Sequence, residues 1–381
     1  MVSGFSDTHL ELRKVVTEVA AREFAPRAAA REKSETFPRD HMKRLADLGF
    51  LGITIPEALG GPGADLYSFL ITAEALARSC AATAFAYVIQ EAAAAAILVG
   101  GTDEIKKQYL PGMAKGDVIG ATAGTEASGG STPLAFESFA AKTDDGYRLN
   151  GRKVFISGAG EADLYVIVAK TDREKGIGGI SAFALDKGTG GLSFGKKEDK
   201  MGLGAVPARE IIFEDSPIKP SRLLGQEGGG VPVLMAFAGI AALGAAAIAV
   251  GIGQAALDQS IRYAKERVIL GKPIATIQAT QYKIADMFAA VEGARSLLYR
   301  AAYQRISGPP GPPAPVFAAK ITATEAALRV ADAAIQIHGA YGYSREFPVE
   351  RYYREARALS IHFGINEVLR ENLGKILLGL M

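Results

Sequence analysis

Apolar residues recur at helical spacing through residues 6–110. The carrying runs are THLELRKVVTEVAAREFAPRA, FPRDHMKRLADLGFLG, LYSFLITAEALARSC and ATAFAYVIQEAAAAAILVGG, and they predict a helical block. Pro26 is expected to interrupt the first helix and Gly49 to end the second. IPEALGGPGAD, at 55–65, reads as a loop. Between 118 and 215 the period shortens to two. SFAAKTDDGYRLNGRKVFISG holds two strand-like runs with Asp-Gly and Asn-Gly turn signals, and ADLYVIVAKTD, GGISAFALDKG and AREIIFEDSPI add further short strands. From about 228 the pattern is helical again, over roughly 230–266, 279–306 and 316–340, with SGPPGPPAP a stiff connector at 307–315. The expectation is an α+β chain in three parts: an N-terminal helical domain at 1–117, a middle antiparallel β domain at 118–225, and a C-terminal four-helix bundle at 226–381.

Composition agrees. A chain of 381 residues suits two or three subdomains rather than one core. Its 49% hydrophobic and 22% charged residues describe a globular protein. A formal net charge of +2 gives no global signal for nucleic acid or an acidic membrane surface. Cys80 is the single cysteine, so no intrachain disulfide can form and a reducing cytoplasm fits. The first residues, MVSGFSDTHLELRKVV, carry charge where a signal peptide needs an apolar core. The uncharged stretch 231–257 is long enough to span a bilayer, but it is rich in Ala and Gly and reads as a buried bundle helix. No G-x-G-x-x-G lies between a strand and a helix, so a dinucleotide would bind by another route than a Rossmann unit. His9, His41 and His338 show no metal spacing.

Four stretches, in order and covering nearly the whole chain, resemble the acyl-CoA dehydrogenase family: GATAGTEASGGS (120–131), KVFISGAGEADLYVIVAKTD (153–172), RYAKERVILGKPIATIQATQYKIADM (262–287) and QIHGAYGYSREFPVERYYREAR (336–357). The resemblance implies FAD, an acyl-CoA substrate, a homotetramer and electron-transferring flavoprotein as electron acceptor. By the same resemblance Thr122 and Thr125 would meet the flavin pyrimidine edge, and Ser157 the ring near N5. Phe155 stands for the usual tryptophan against the flavin, and Ser131 would bond the CoA part of the substrate. Arg267 and Gln278 would reach the FAD of a neighbouring subunit, with Gln336 and Gly339 near its diphosphate. Leu270 and Ile365 depart from the family's phenylalanine and threonine.

The resemblance also exposes a gap. The family reaction removes a proton from Cα with a glutamate at one of two positions, and these correspond here to Phe363 and Ala241. Neither accepts a proton. Gly239 and Ala242 replace the usual aspartate and arginine, so this small-residue run is either a tight helix contact or a widened acyl pocket. Two replacement bases are considered. Glu91 lies in the apolar helix FAYVIQEAAAAAIL, where desolvation would raise its pKa. In relatives acting on alicyclic CoA thioesters a carboxylate on this helix takes over, removing a proton remote from the thioester in a 1,4-elimination, as with cyclohex-1-ene-1-carboxyl-CoA. Phe363 would then wall the ring. His362, beside the lost glutamate, is the second candidate. The competing readings are a base-free flavoenzyme of decarboxylase or desulfinase type, and a non-catalytic subunit of a heteromeric dehydrogenase.

Overall fold

The computed structural model describes residues 4–130, 132, 135–307 and 313–380. The N-terminal part holds α1 (Asp7–Val19), α2 (Ala25–Ser34), α3 (Arg39–Asp47), α4 (Leu66–Ser79), α5 (Ala81–Gly100) and α6 (Asp103–Ala114). Side chains set several of the helix starts. The Ser6 hydroxyl accepts from the backbone of His9, Asp65 from Ser68 and Thr102 from Ile105, each satisfying an N–H that has no partner within its helix. Pro26 does not interrupt the first helix. A π-helical turn, Ala20–Phe24, joins α1 to α2, and Pro26 falls in the first turn of α2, where its missing N–H costs little. Gly49, at φ +73°, follows the end of α3 as expected.

The middle part is a sheet of β1 (Gly120–Ala123), β2 (Phe139–Thr143), β3 (Gly146–Ser157), β4 (Leu164–Lys170), β5 (Ile180–Asp186), β6 (Leu192–Lys197), β7 (Ala208–Ile218) and β8 (Leu223–Leu224). The order is β6-β7-β3-β2-β4-β5-β8, with β1 also on β4. The sheet is not purely antiparallel. β1 runs parallel to β4, Gly120 opposite Leu164, and β2 meets β4 in parallel at Phe139 and Lys170. This places β1 at a joint between domains. The Gln90 side chain of α5 accepts from Gly120 N at 2.7 Å and donates to the carbonyls of Met113 and Val118. Asp163, just before β4, accepts from Ile119 N at 2.9 Å.

The C-terminal part holds three long helices, α7 (Val231–Glu266), α8 (Gln278–Ser307) and α9 (Ala314–His338). After them come the short α10 (Ala340–Tyr343), then α11 (Val349–Leu359) and α12 (Asn366–Leu377). A hairpin of β9 (Val268–Ile269) and β10 (Lys272–Pro273) links α7 to α8. α7 packs on α9, α5, α4 and α8, so it runs through the middle of the helical mass. α5 and α7 are each long and apolar enough to cross a membrane, but most of each apolar window is buried inside the protein, as in core helices. The small residues of α7 have a packing reason. A Cβ on Gly244 would lie 2.5 Å from a methyl of Val88, and one on Gly251 would lie 2.3 Å from the Glu74 carbonyl. At those two positions the run is a tight helix contact and not a widened pocket.

Candidate active site

One group of predicted residues gathers at the edge of the sheet. Thr122 lies in β1, and Thr125 follows it with its carbonyl accepting from Val154 N at 3.0 Å. That bond sets Thr125 beside the end of β3. The β3–β7 register shifts between Lys153 and Ile156, and within this bulge Phe155 takes φ +52° and turns outward, 61% exposed. Ser157, paired with Ala208, is half-buried on the same strand. A flat apolar ring held out on a strained bulge, flanked by half-buried hydroxyls, suits stacking against and hydrogen bonding to a planar heteroaromatic group such as a flavin. Ser131 lies outside the described residues.

A buried ion pair supports this edge. Lys153 Nζ lies 2.6 Å from Glu126, and both side chains are buried. Glu126 also accepts from the backbone N–H groups of Glu137 and Ser138, and Lys153 sits over the Phe136 ring. Burial alone would raise the Glu126 carboxyl, but the Lys153 ammonium and these N–H donors hold it below the ordinary carboxylate range. Burial lowers Lys153 to about 8, against the opposing pull of Glu126. The pair ties the segment after Thr125 to the strand that carries Phe155.

A second group lies where α7 ends, α8 begins and α9 ends. Arg267, Gln278, Gln336 and Gly339 are all exposed there. The Arg267 guanidinium stands 5.7 Å from the Tyr341 ring centre, and Gly339 caps α9 at φ +60°. Leu270, at the tip of the β9–β10 hairpin, is 99% exposed. These donors face away from their own chain, which suits a ligand held partly by another subunit.

The third group is the wall around the missing carboxylate. Phe363 sits between α11 and α12 at φ +57° and stacks on Phe85 of α5, with ring centres 4.8 Å apart. Its side chain touches both halves of the hydrophobic core, one of which contains the buried Ala241 beside Phe237. His362 stands edge-on to Phe85 at 5.3 Å. Its Nδ1 lies 2.8 Å from the Ala358 carbonyl, which can only accept, so Nδ1 carries the proton and Nε2 keeps a lone pair. Burial lowers the pKa of the ring against the opposing Ala358 bond, so the imidazole is neutral at neutral pH and able to take a proton.

Glu91 is buried, as its apolar run implies, but it is not free. Oε1 accepts from Ile53 N at 2.9 Å and Oε2 from the Thr54 hydroxyl at 3.0 Å. Burial raises its pKa to about 7, against those hydrogen bonds and further ones from the Thr54 and Gly52 backbone. Six positions along a helix turn a side chain by about 120° net, so Glu91 leaves α5 on a different side from Phe85. The expectation that it lines the acyl pocket meets a carboxylate fastening the loop at 52–54. The sequence reading missed Thr54, Phe85 and the Glu126–Lys153 pair. An apolar helix interrupted by one charge pointed to Glu91, but spacing gave no sign of partners so distant in the chain.

Three family models match the chain in succession. They are the acyl-CoA dehydrogenase N-terminal domain at 6–117, the middle domain at 121–216 and the C-terminal domain at 228–378. An acyl-CoA dehydrogenase of Bacillus subtilis is 40% identical over 97% of this chain and 97% of its own length. An acryloyl-CoA reductase (NADH) of Anaerotignum propionicum is 39% identical over 94% of this chain and 91% of its own. The solved structure of butyryl-CoA dehydrogenase from Megasphaera elsdenii superposes with a TM-score of 0.95 at 36% identity, covering 99% of this chain and 100% of that one.

Proposed function

The chain belongs to the acyl-CoA dehydrogenase family, and from that premise we propose that it is an FAD-dependent dehydrogenase of a cyclic acyl-CoA thioester, with its proton acceptor moved away from residue 363. The observation that carries this reading is the loop tip itself. Phe363, not a carboxylate, stacks on Phe85, and the Ala358 bond to Nδ1 of the neighbouring His362 leaves the lone pair on Nε2. A flat apolar wall accepts a ring, and a base placed to its side suits a proton on a ring carbon remote from the thioester, which conjugation acidifies.

FAD supplies the hydride acceptor when bound. Thr122, Thr125 and Ser157 would hold its ring by hydrogen bonds, and the exposed Phe155 would stack on it. Arg267, Gln278, Gln336 and Gly339 serve the FAD of a neighbouring subunit in a homotetramer. The exposed apolar side chains along α8, among them Tyr282, Phe288 and Tyr303, support such burial between subunits. Electron-transferring flavoprotein takes the electrons onward. His362 removes the proton; Glu91, the other candidate, is occupied by the 52–54 loop.

Anaerobic flavin bleaching tests this, with wild type, His362→Gln and Glu91→Gln mixed with butyryl-, octanoyl-, cyclohexanecarboxyl- and cyclohex-1-ene-1-carboxyl-CoA. Bleaching by a cyclic thioester alone, lost in His362→Gln and kept in Glu91→Gln, is the expected result. Loss in Glu91→Gln instead would return the role to that carboxylate. A base-free reading has one observation in its favour, the occupied Glu91 oxygens. It predicts no bleaching with any of the four, and release of carbon dioxide or sulfite from a substituted thioester.

A further inference from the structure

Lys320 lies in the second turn of α9 and is fully buried. Among the described residues no carboxylate comes within ion-pairing distance of it. Its Nζ donates to the Gly364 carbonyl at 2.6 Å, the Asn366 side-chain oxygen at 2.8 Å and the Ser360 carbonyl at 3.4 Å. An ammonium has three N–H donors, and all three go to the segment 360–366, which joins α11 to the first residue of α12. Asn366 extends the arrangement. Its backbone N–H closes the loop onto the Ser360 carbonyl at 3.0 Å, and its Nδ2 donates to the Thr324 hydroxyl, one turn along α9 from Lys320, at 3.0 Å.

The loop held in this way is an unusual one. Phe363 and Gly364 are consecutive left-handed residues, at φ +57° and +89°. A non-glycine side chain resists that conformation, so the surroundings must impose it. The reversal turns the carbonyls of Ser360 and Gly364 to one point, where the ammonium sits, and sends the Phe363 ring the other way, against Phe85. Nothing else in α9 needs a charge at this depth; a leucine would pack there without desolvation cost.

We propose that Lys320 is a positioning residue of the active-site wall, whose ammonium cages the 360–366 loop in its reversed form and so fixes where residues 362 and 363 stand against α5. The role does not depend on which acyl group the enzyme takes or which residue removes the proton.

Hydrogen exchange on the full-length, FAD-loaded protein tests it. In Lys320→Met, which keeps the shape and removes the donors, amides 361–366 exchange on the order of tenfold faster, while the rest of α9 keeps its protection. The chain contains no tryptophan, so Phe363→Trp gives a single reporter at the loop tip. Its acrylamide quenching rises when Lys320→Met is added. Unchanged exchange at 361–366 would overturn the proposal. Equal acceleration along α9, α11 and α12 would also overturn it, because Lys320 would then only hold the bundle together. Should Lys320→Met fail to fold, Asn366→Ala, which removes one acceptor and the closing side chain, is read against the same two outcomes.

Discussion

The sheet edge and the helical wall each bury charge, in opposite ways. Under Phe155 the charge is paired, with Lys153 and Glu126 at 2.6 Å and the remaining carboxylate capacity filled by backbone N–H groups. Behind Phe363 and beside α5 two buried charges are solitary: Lys320 and Glu91 are bonded only to neutral groups of nearby segments. A matched pair keeps both charges at neutral pH, so the strip that would cradle the flavin holds one geometry. A solitary buried charge is pushed toward its neutral form, and both of these move to about 7. The helical side, which holds Glu91 and Lys320, is therefore the side that titrates near neutral pH.

The strongest way to break this contrast is to unpair the sheet. Glu126→Gln leaves the Lys153 ammonium buried without its partner and is expected to cost about 3–5 kcal/mol in urea denaturation. A cost below that of any change at Glu91 would erase the distinction.

Next comes pH. Burial raises Glu91 from its ordinary 4.5 to about 7, so between those values the native state holds a proton that the unfolded chain has lost, and stability falls as pH rises. Burial lowers Lys320 from 10.5 to about 7 against the pull of Glu367 and Glu325, so above 7 the unfolded chain binds the extra proton and stability rises with pH. Each slope is at most about 1.4 kcal/mol per pH unit. Subtracting the Glu91→Gln curve from wild type isolates the first slope and Lys320→Met the second. Glu355, raised to about 7 like Glu91, cancels in both differences. Flat difference curves would show that neither charge is solitary in solution.

Smaller effects sharpen the picture. Glu91→Ala leaves Ile53 N–H and the Thr54 hydroxyl without a buried acceptor, at about 2 kcal/mol in the same denaturation measurement. Thr54→Val removes one donor from Glu91 for about 1 kcal/mol and moves the upper end of the falling slope to higher pH.

The order of domains was legible because period changes mark it: helical spacing, then alternation with Asp-Gly and Asn-Gly turns, then helices again. The buried state of Glu91 was legible for the same reason, since one charge breaks an apolar helix. Lys320 carries the same mark, in VFAAKITA, but no missing chemistry at its own position points to it. What the sequence could not yield are pairings made at long range. The parallel partner of β1, the loop bound by Glu91 and the counter-charge of Glu126 are set by topology rather than by neighbours. Pro26 misled in the other direction, because a wide turn before it gave its ring room that periodicity does not reveal.

The parallel pairing of β1 with β4 also bears on how the chain is made. Gly120–Ala123 has no strand to join until Leu164–Ile167 has left the ribosome. At about 5–20 residues per second that is a wait of seconds, during which β1 has no strand partner and apolar α5 still lacks the α7 that covers it. Synthesis of this enzyme thus includes an interval in which an apolar strand and an apolar helix are exposed together.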